Sequence, residues 1–513
     1  MNQVLNIFRK DVRHHWREIA ASLALTAAFA WADMRDWGHQ GGIAFGGAAI
    51  LTGILTSIVV PLVPVSWMFL IVRAIHGESL VGDRQFWVTR PYAWQKLAAA
   101  KALFVVTFIN VPLFLLDIFL LAMAGFRPSA YLGGLLWLQA MWILILLLPT
   151  AALATVTAGI GHMLLALLFI VLYFFSLLAL GELIPNSSFS SHNAPLYFFL
   201  TIASVLAVLL LQYSRRKTAQ SRLTFVGLGA VIALIVVATP YRTLIARAYP
   251  LASGELPMQL ALKPRQAPAP YQALQMGKLV PIVLPLSLSG LPQDSILEPE
   301  GRILTLTNAQ GGNWDSGWLP GGGELIFPDQ KTLNVGFYIP QKEFDRMSSS
   351  PVRVQLVLAF TSFHDQQQRP WVVPNGEFSL PDVGFCSATL RYTGSLNCRV
   401  PLHAPTFLLV TSDVSASTCP LGKNQTGLEP GEIARGTLRN GGDEPADPGI
   451  SPVRTASISL GFWDPSKTGI NPGLCPGTPV TLSNPEETSH GRIELHFDNL
   501  SLPNYREPTQ RNP

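Results

Sequence analysis

The sequence predicts a polytopic α-helical membrane domain, six helices plus one further span, followed by an all-β, sandwich-like extracytoplasmic domain. Three observations carry that expectation. Up to about Leu251 the 513-residue chain is a succession of long apolar runs; beyond it, short alternating apolar stretches are separated by Pro, Gly, Ser and Thr. Charge divides at the same place, with roughly 17 Lys and Arg against 8 Asp and Glu before it and roughly 19 against 24 after it. All four cysteines, Cys386, Cys398, Cys419 and Cys475, fall in the second part, as expected of a segment in an oxidising compartment.

Residues 1–18 come first. Val4, Leu5, Phe8, Val12 and Trp16 recur at helical spacing among Arg9, Lys10, Arg13 and Arg17. That is the pattern of a basic amphipathic helix lying at the inner membrane surface. A hydrocarbon core about 30 Å thick needs about 20 apolar residues per crossing. Seven segments qualify: 19–34, 48–72, 101–124, 132–155, 162–182, 196–213 and 223–241. In the first, the purely apolar core from Ile19 to Trp31 is short, and Trp31 and Trp37 anchor its outer end. Residues 19–215 thus form a six-span domain, 216–248 hold a seventh helix, and 249–277 are a Pro- and Gln-containing linker.

Basic residues cluster before the first span (Arg9, Lys10, Arg13, Arg17), between the second and third (Arg73, Arg84, Arg90, Lys96, Lys101) and between the sixth and seventh (Arg215, Arg216, Lys217, Arg222). Only Arg35, Arg127, Arg242 and Arg247 fall on the other side. The positive-inside rule therefore puts the N-terminus in the cytoplasm and the C-terminal half outside. A bacterial cytoplasmic membrane is the expected location. A competing reading takes residues 1–30 as a cleaved signal, with Ala28 and Ala30 at the cleavage site. The scattered basic residues do not make a nucleic-acid face.

The stretch HGESLVGDRQFWVTRPYAWQKLAAAK, His76 to Lys101, separates the second and third spans. It is too polar to span and too long for a minimal turn. Pro91 fixes the backbone and restricts Arg90 before it. Phe86, Trp87 and Trp94 supply aromatic surface, either for a protein interface or as anchors in the membrane interface.

Glu78, Gly82, Pro91 nine residues after it and Lys101 ten residues later form a spacing that resembles the permease subunits of ABC transporters of the type 2 exporter class. Asp83 stands where that family usually has Thr, and Ala100 where it usually has Gly. The resemblance covers about residues 1–215, including the basic helix before the first span; the seventh span and the external domain lie beyond it. It implies that residues 76–101 dock in a groove of a separate ATPase subunit and pass its ATP-driven closure to the membrane helices. The implied partners are that ATPase, a second permease subunit and the lipid bilayer. ATP and magnesium would sit on the ATPase. This chain has no GxxxxGK[ST] phosphate loop, so no cofactor and no catalysis are expected within it.

Asp117 lies mid-span in PLFLLDIFLLA. An ionisable group at that depth faces protein or water, and serves as a path-lining or proton site or as a polar tie between helices. Pro61, Pro64, Pro112 and Pro149 loosen their spans.

In residues 278–513, segments such as LVPIVLPLSLSG, RILTLTN, LNVGFYIP, VRVQLVLAFTSF, TFLLVTS and RIELHFDNLSL alternate as strands. CSATLRYTGSLNC reads as a hairpin bridged by Cys386 and Cys398, which leaves Cys419 with Cys475. The absence of C-x-x-C, G-x-S-x-G and H-E-x-x-H removes any positive reason for a metal or hydrolytic site. Two function classes remain: a permease coupled to an external motor, and a membrane-anchored binding, sensor or assembly protein whose business is in the β domain.

Overall fold

The computed structural model describes residues 2–37, 47–77, 93–183, 194–239, 241–252, 258–264, 279–321, 325–365, 368–380, 383–388, 395–402, 407–413, 433–439, 450–458, 460 and 474–506. These fall into two compact units. The first comprises Met1–Ser176, Ala194–Ala233 and Arg369–Ser483; the second comprises Leu177–Asn193, Leu234–Gln368 and Asn484–Pro513.

The first unit begins with α1 (Asn2–His14) and α2 (Trp16–Asp36). On α1 the inward face is Val4, Ile7, Phe8, Asp11 and Val12, with Arg9, Lys10 and Arg13 outside. Leu5 and Trp16, expected on the apolar face, are exposed instead. The helical stripe has rotated by about one residue because Asp11 and His15 are drawn inward. There follow α3 (Gly47–His76), α4 (Trp94–Val105), α5 (Val111–Met123), α6 (Leu132–Trp142), α7 (Leu148–Val156), α8 (Ile160–Leu183), α9 (Ala194–Arg215) and α10 (Thr218–Ala238). A π-helical turn, Val106–Asn110, joins α4 to α5, and another, Ile143–Leu147, joins α6 to α7.

Among the described residues, six helical stretches are long and apolar enough to cross a membrane: Ser57–His76, Trp94–Met123, Pro128–Val156, Ile160–Leu178, Pro195–Arg215 and Thr218–Val236. The expected first span, 19–34, is helical within α2 but is not among them. Its charge-free stretch between Glu18 and Asp33 has 14 residues, about 21 Å at 1.5 Å per residue and short of the hydrocarbon thickness. The helix nevertheless packs antiparallel along α3. Glu18 meets Arg73 at 3.5 Å and Ser22 meets Ser66 at 3.1 Å, while Ile19, Phe29 and Ala30 join Val63, Trp67 and Leu70 in one core.

Among the described residues, the β part of this unit holds two four-stranded antiparallel sheets. One has the order β14 (Val453–Ile458), β11 (Leu396–Pro401), β10 (Gly384–Ala388), β9 (Glu377–Leu380). The other has the order β13 (Ile433–Arg439), β12 (Phe407–Asp413), β15 (Pro479–Ser483), β8 (Arg369–Val372). Residues of both build one core, including Leu396, Val400, Val410, Leu438 and Val480. Cys386 and Cys398 are directly opposed on β10 and β11 and are joined as a disulfide, as the hairpin pattern predicts. Cys475 is also disulfide-bonded; Cys419 lies outside the described residues.

The second unit has a three-stranded sheet, β1 (Gln259–Leu262), β2 (Leu279–Ser289), β6 (Thr332–Pro340), and a five-stranded one. In the latter β16 (Glu486–Leu500), β7 (Val352–His364), β3 (Ser295–Asn308) and β4 (Asn313–Asp315) lie in that order, with β5 (Leu319–Pro320) also on β3. Gln259–Leu262 fall within the stretch expected to be a linker, yet they pair with Leu286–Ser289. The pleat is plain in β2, where Val280, Ile282, Leu284, Leu286 and Leu288 are buried and alternate with more exposed neighbours. Each such aliphatic side chain contributes about 1.5–3 kcal/mol by leaving water. A short helix, α12 (Gln341–Ser348), buries Phe344 and Met347 against the same core.

β7 and β16 are neighbours over their whole length, from His364 opposite Glu486 to Val352 opposite Leu500. Strands β8 to β15 therefore form an insertion between two paired strands. Within the second unit, α11 (Tyr241–Ala248), just after the last apolar helix, is tied to β4. Tyr241 donates to Asp315 at 2.6 Å, and Arg242 forms an ion pair with the same carboxylate. Burial alone would raise the Asp315 carboxyl, but hydrogen bonds from Tyr241, the Gly317 N–H and Arg242 outweigh it and hold it below the usual carboxylate range.

Candidate functional site

Two ends of the first unit differ in chemistry. At one end gather α1, the last turn of α3 and the first turns of α4. Lys101, in the second turn of α4, reaches Asp11 Oδ2 of α1 at 2.8 Å and the Ala74 carbonyl of α3 at 2.8 Å. Both charged residues are buried, with 7% of Lys101 and 3% of Asp11 exposed. Around them Ile7 packs with Leu97 and Ala100, and Phe8 stacks on Phe108 with centroids 5.9 Å apart. Three helices are thus joined at one ammonium group.

Further ties close the same end. The His76 ring nitrogen Nε2 lies 3.0 Å from the Ala154 carbonyl and 3.2 Å from Thr157 Oγ1. Gln212 donates to the Thr155 carbonyl at 2.7 Å, and the Arg222 guanidinium donates to the Val156 carbonyl at 2.9 Å. The C-terminal end of α7, whose last carbonyls have no helical partner, is capped by side chains of three other helices.

His15 links α1 to α2 with its ring 4.7 Å from that of His14 and Nδ1 4.0 Å from Glu18 Oε1. Burial, reinforced by His14, holds the imidazole below its ordinary value of 6.5, against the opposite pull of Glu18 and Asp11. The folded state therefore prefers neutral His15. As pH falls through 6.5, the unfolded chain takes up this proton first, so the contribution of neutral His15 declines from there and is gone below the folded value, where the loss levels off. His15→Phe is expected to flatten that decline. A thermal-melting series between pH 5 and 8 in detergent checks it (values on the order of the unperturbed histidine range).

The second polar feature lies at mid-depth. Asn110, in the first π-helical turn, donates to Gln139 Oε1 at 3.2 Å, and Gln139 donates to Asp117 Oδ2 at 3.1 Å. Asp117 is fully buried, and its Oδ1, like Asn110 Oδ1, has no hydrogen-bond partner among the described residues. A chain of two amides ending on a carboxyl ties α5 to α6, each beside a π-helical turn, a local fault that recurs at functional and mobile positions. Asp117→Leu, which leaves the Gln139 amide without its acceptor, is expected to cost about 1–2 kcal/mol, whereas Asp117→Asn keeps an acceptor and costs well under about 1 kcal/mol. Unfolding of the two variants in detergent separates a structural tie from carboxyl chemistry, in which case both fall together.

At the opposite end, α5 closes on Gly125 (φ +92°), with Gly125 N–H bonded to Ala122 O and Phe126 N–H to Leu121 O, a Schellman cap. A Cβ on Gly125 would lie 2.8 Å from the Phe385 ring of β10. Asp33 accepts from Ser451 Oγ at 2.7 Å, and Val453 packs with Leu121, Ala124 and Leu135.

Of the residues singled out from sequence, Glu78, Gly82, Phe86, Trp87, Arg90 and Pro91 lie outside the described residues. Trp94 opens α4 and is exposed. Lys101 is the buried centre of the three-helix tie. Asp117 is joined to two residues that sequence reading passed over, Asn110 and Gln139; an amide in each of two otherwise apolar runs was the available signal. Asp11 was legible only as one acid within a basic helix. No family model matches the chain, and no curated protein resembles it significantly.

Proposed function

We propose that the chain is a membrane-spanning permease subunit of an ABC transporter, driven by a separate ATPase and exporting a substrate across a bacterial cytoplasmic membrane. The observation that carries this reading is the Lys101 tie. A motor that pulls on the segment between α3 and α4 needs a stiff connection into the membrane, and an ammonium held by Asp11 and the Ala74 carbonyl joins α1, α3 and α4 so that they move together. Load passes from there along α4 to the π-helical turn that follows it, and through the Asn110–Gln139–Asp117 chain across to α6, which runs into the second π-helical turn.

The end of the first unit that holds α1, Arg73, Lys96 and Arg222 is the basic one, which favours placing it in the cytoplasm. In this reading α2 is the first crossing, shielded by α3 where its own apolar stretch is short. Seven crossings then place the two β-sandwich-like modules outside, with the disulfide in an oxidising space. A membrane-impermeant maleimide is expected to label Arg216→Cys only in inverted vesicles and Asp498→Cys only in right-side-out ones; the reverse pattern contradicts the topology.

The test of coupling is mutational. Glu78→Ala and Gly82→Val should leave the chain inserted and expressed while abolishing ATP-driven transport. Unchanged transport in both variants contradicts the proposal and favours the membrane-anchored binding or assembly protein.

A further inference from the structure

A cavity of about 450 Å³ opens in the first unit between the helix ends and the β14–β11–β10–β9 sheet. Its two walls differ. The helix side presents Met34, Trp37 and Met123. The sheet side follows from the pleat. In β10 and β11, Cys386, Leu396, Cys398 and Val400 turn into the core, so their neighbours Ser387, Asn397 and Arg399 occupy the opposite face, in register with Glu377 of β9 and Thr455 of β14. Arg399 pairs with Glu377 on that face and lies 5.8 Å from the Phe385 ring. The Trp37 indole N–H has no acceptor among the described residues.

One wall is therefore apolar and adaptable, with two methionines and a tryptophan. The other carries a matched ion pair and three neutral hydrogen-bonding side chains beside the Phe385 ring. We propose that this cavity binds a bilayer phospholipid with a net-neutral, zwitterionic head group. A zwitterion satisfies both members of the pair, its phosphate turning to Arg399 and its ammonium to Glu377. A head group with only negative charge satisfies Arg399 and leaves Glu377 facing a like charge. Asn397, Ser387 and Thr455 offer partners to the phosphate and ester oxygens. The cavity is smaller than a whole phospholipid, so the acyl chains run along Met34 and Met123 and remain in the bilayer from which the molecule enters. This inference needs no motor subunit and stands apart from the transport reading.

Native mass spectrometry of the full chain, released from nanodiscs of equal phosphatidylethanolamine and phosphatidylglycerol, tests it. One phosphatidylethanolamine per chain is expected to be retained, at least about tenfold over phosphatidylglycerol, a difference of about 1.4 kcal/mol. Asn397→Phe fills the cavity from the sheet face and should abolish retention, with its thermal midpoint reporting that the fold survives. Glu377→Gln, at a side chain that is 56% exposed, leaves the arginine unopposed and should turn the preference toward phosphatidylglycerol. Absence of retained lipid, equal retention of both lipids, retention unchanged in Asn397→Phe, or a preference unmoved in Glu377→Gln overturns the assignment.

Discussion

Lys101→Met is expected to destabilise the helical core by about 3–5 kcal/mol, because it leaves the Asp11 carboxylate buried without its countercharge. The carboxylate is 2.8 Å from the ammonium, and both residues are buried. Desolvation of two charges offsets most of their mutual attraction, so the pair itself adds little net stability; the large number is the cost of orphaning one member. The double variant Asp11→Leu/Lys101→Met should therefore recover most of the loss. Thermal melting of the three variants in one detergent gives the interaction energy directly. If the pair serves to transmit load, the double variant will be stable yet poorly coupled. A double variant no more stable than Lys101→Met contradicts the argument.

Removing the Cys386–Cys398 bridge as the double alanine variant is expected to cost about 3 kcal/mol. The two cysteines are 12 residues apart, and closing a loop of that length in the unfolded chain carries about that entropy. Both sulfurs are buried in the core that packs the two four-stranded sheets, with Leu396, Val400 and Ile458 beside them. The loss should appear as a lowered melting temperature of the module holding residues 369–483, followed through Trp371, which packs on Phe378 with centroids 5.0 Å apart. Reductant should act slowly on the native chain, since neither sulfur is reached from solvent without opening the sheets. An unchanged midpoint would mean that the hairpin is closed as tightly without the bridge.

Legibility followed sequence distance. Helices such as α8 and α9 are written as continuous apolar runs, and β2, β7 and β12 as short alternating or apolar stretches between turn residues; local pattern suffices for them. The Cys386–Cys398 hairpin was legible because its strands are adjacent. The partnership of β7 with β16 was not, because more than a hundred residues intervene and nothing in either strand marks the other. The Lys101 tie was hidden for the same reason: Asp11 lies 90 positions earlier. Lys101 is legible as the last residue of a spacing, whereas its burial against Asp11 is not. β1 is not legible, because four residues between Pro257 and Pro264 carry too little pattern. α2 shows the opposite failure, a helix with an apolar centre whose length falls short by composition and which relies on α3 for its surroundings.

The proposed function stands or falls on a separate ATPase that works through the segment between α3 and α4. The direct measurement is purification of the tagged chain from native membranes in mild detergent, with identification of what accompanies it and an assay of ATP hydrolysis, beside the same chain with residues 78–91 scrambled. The expected result is an ATPase that accompanies the native chain and is lost from the scrambled one. A correctly inserted native chain that brings no ATPase with it rules out the proposed coupling.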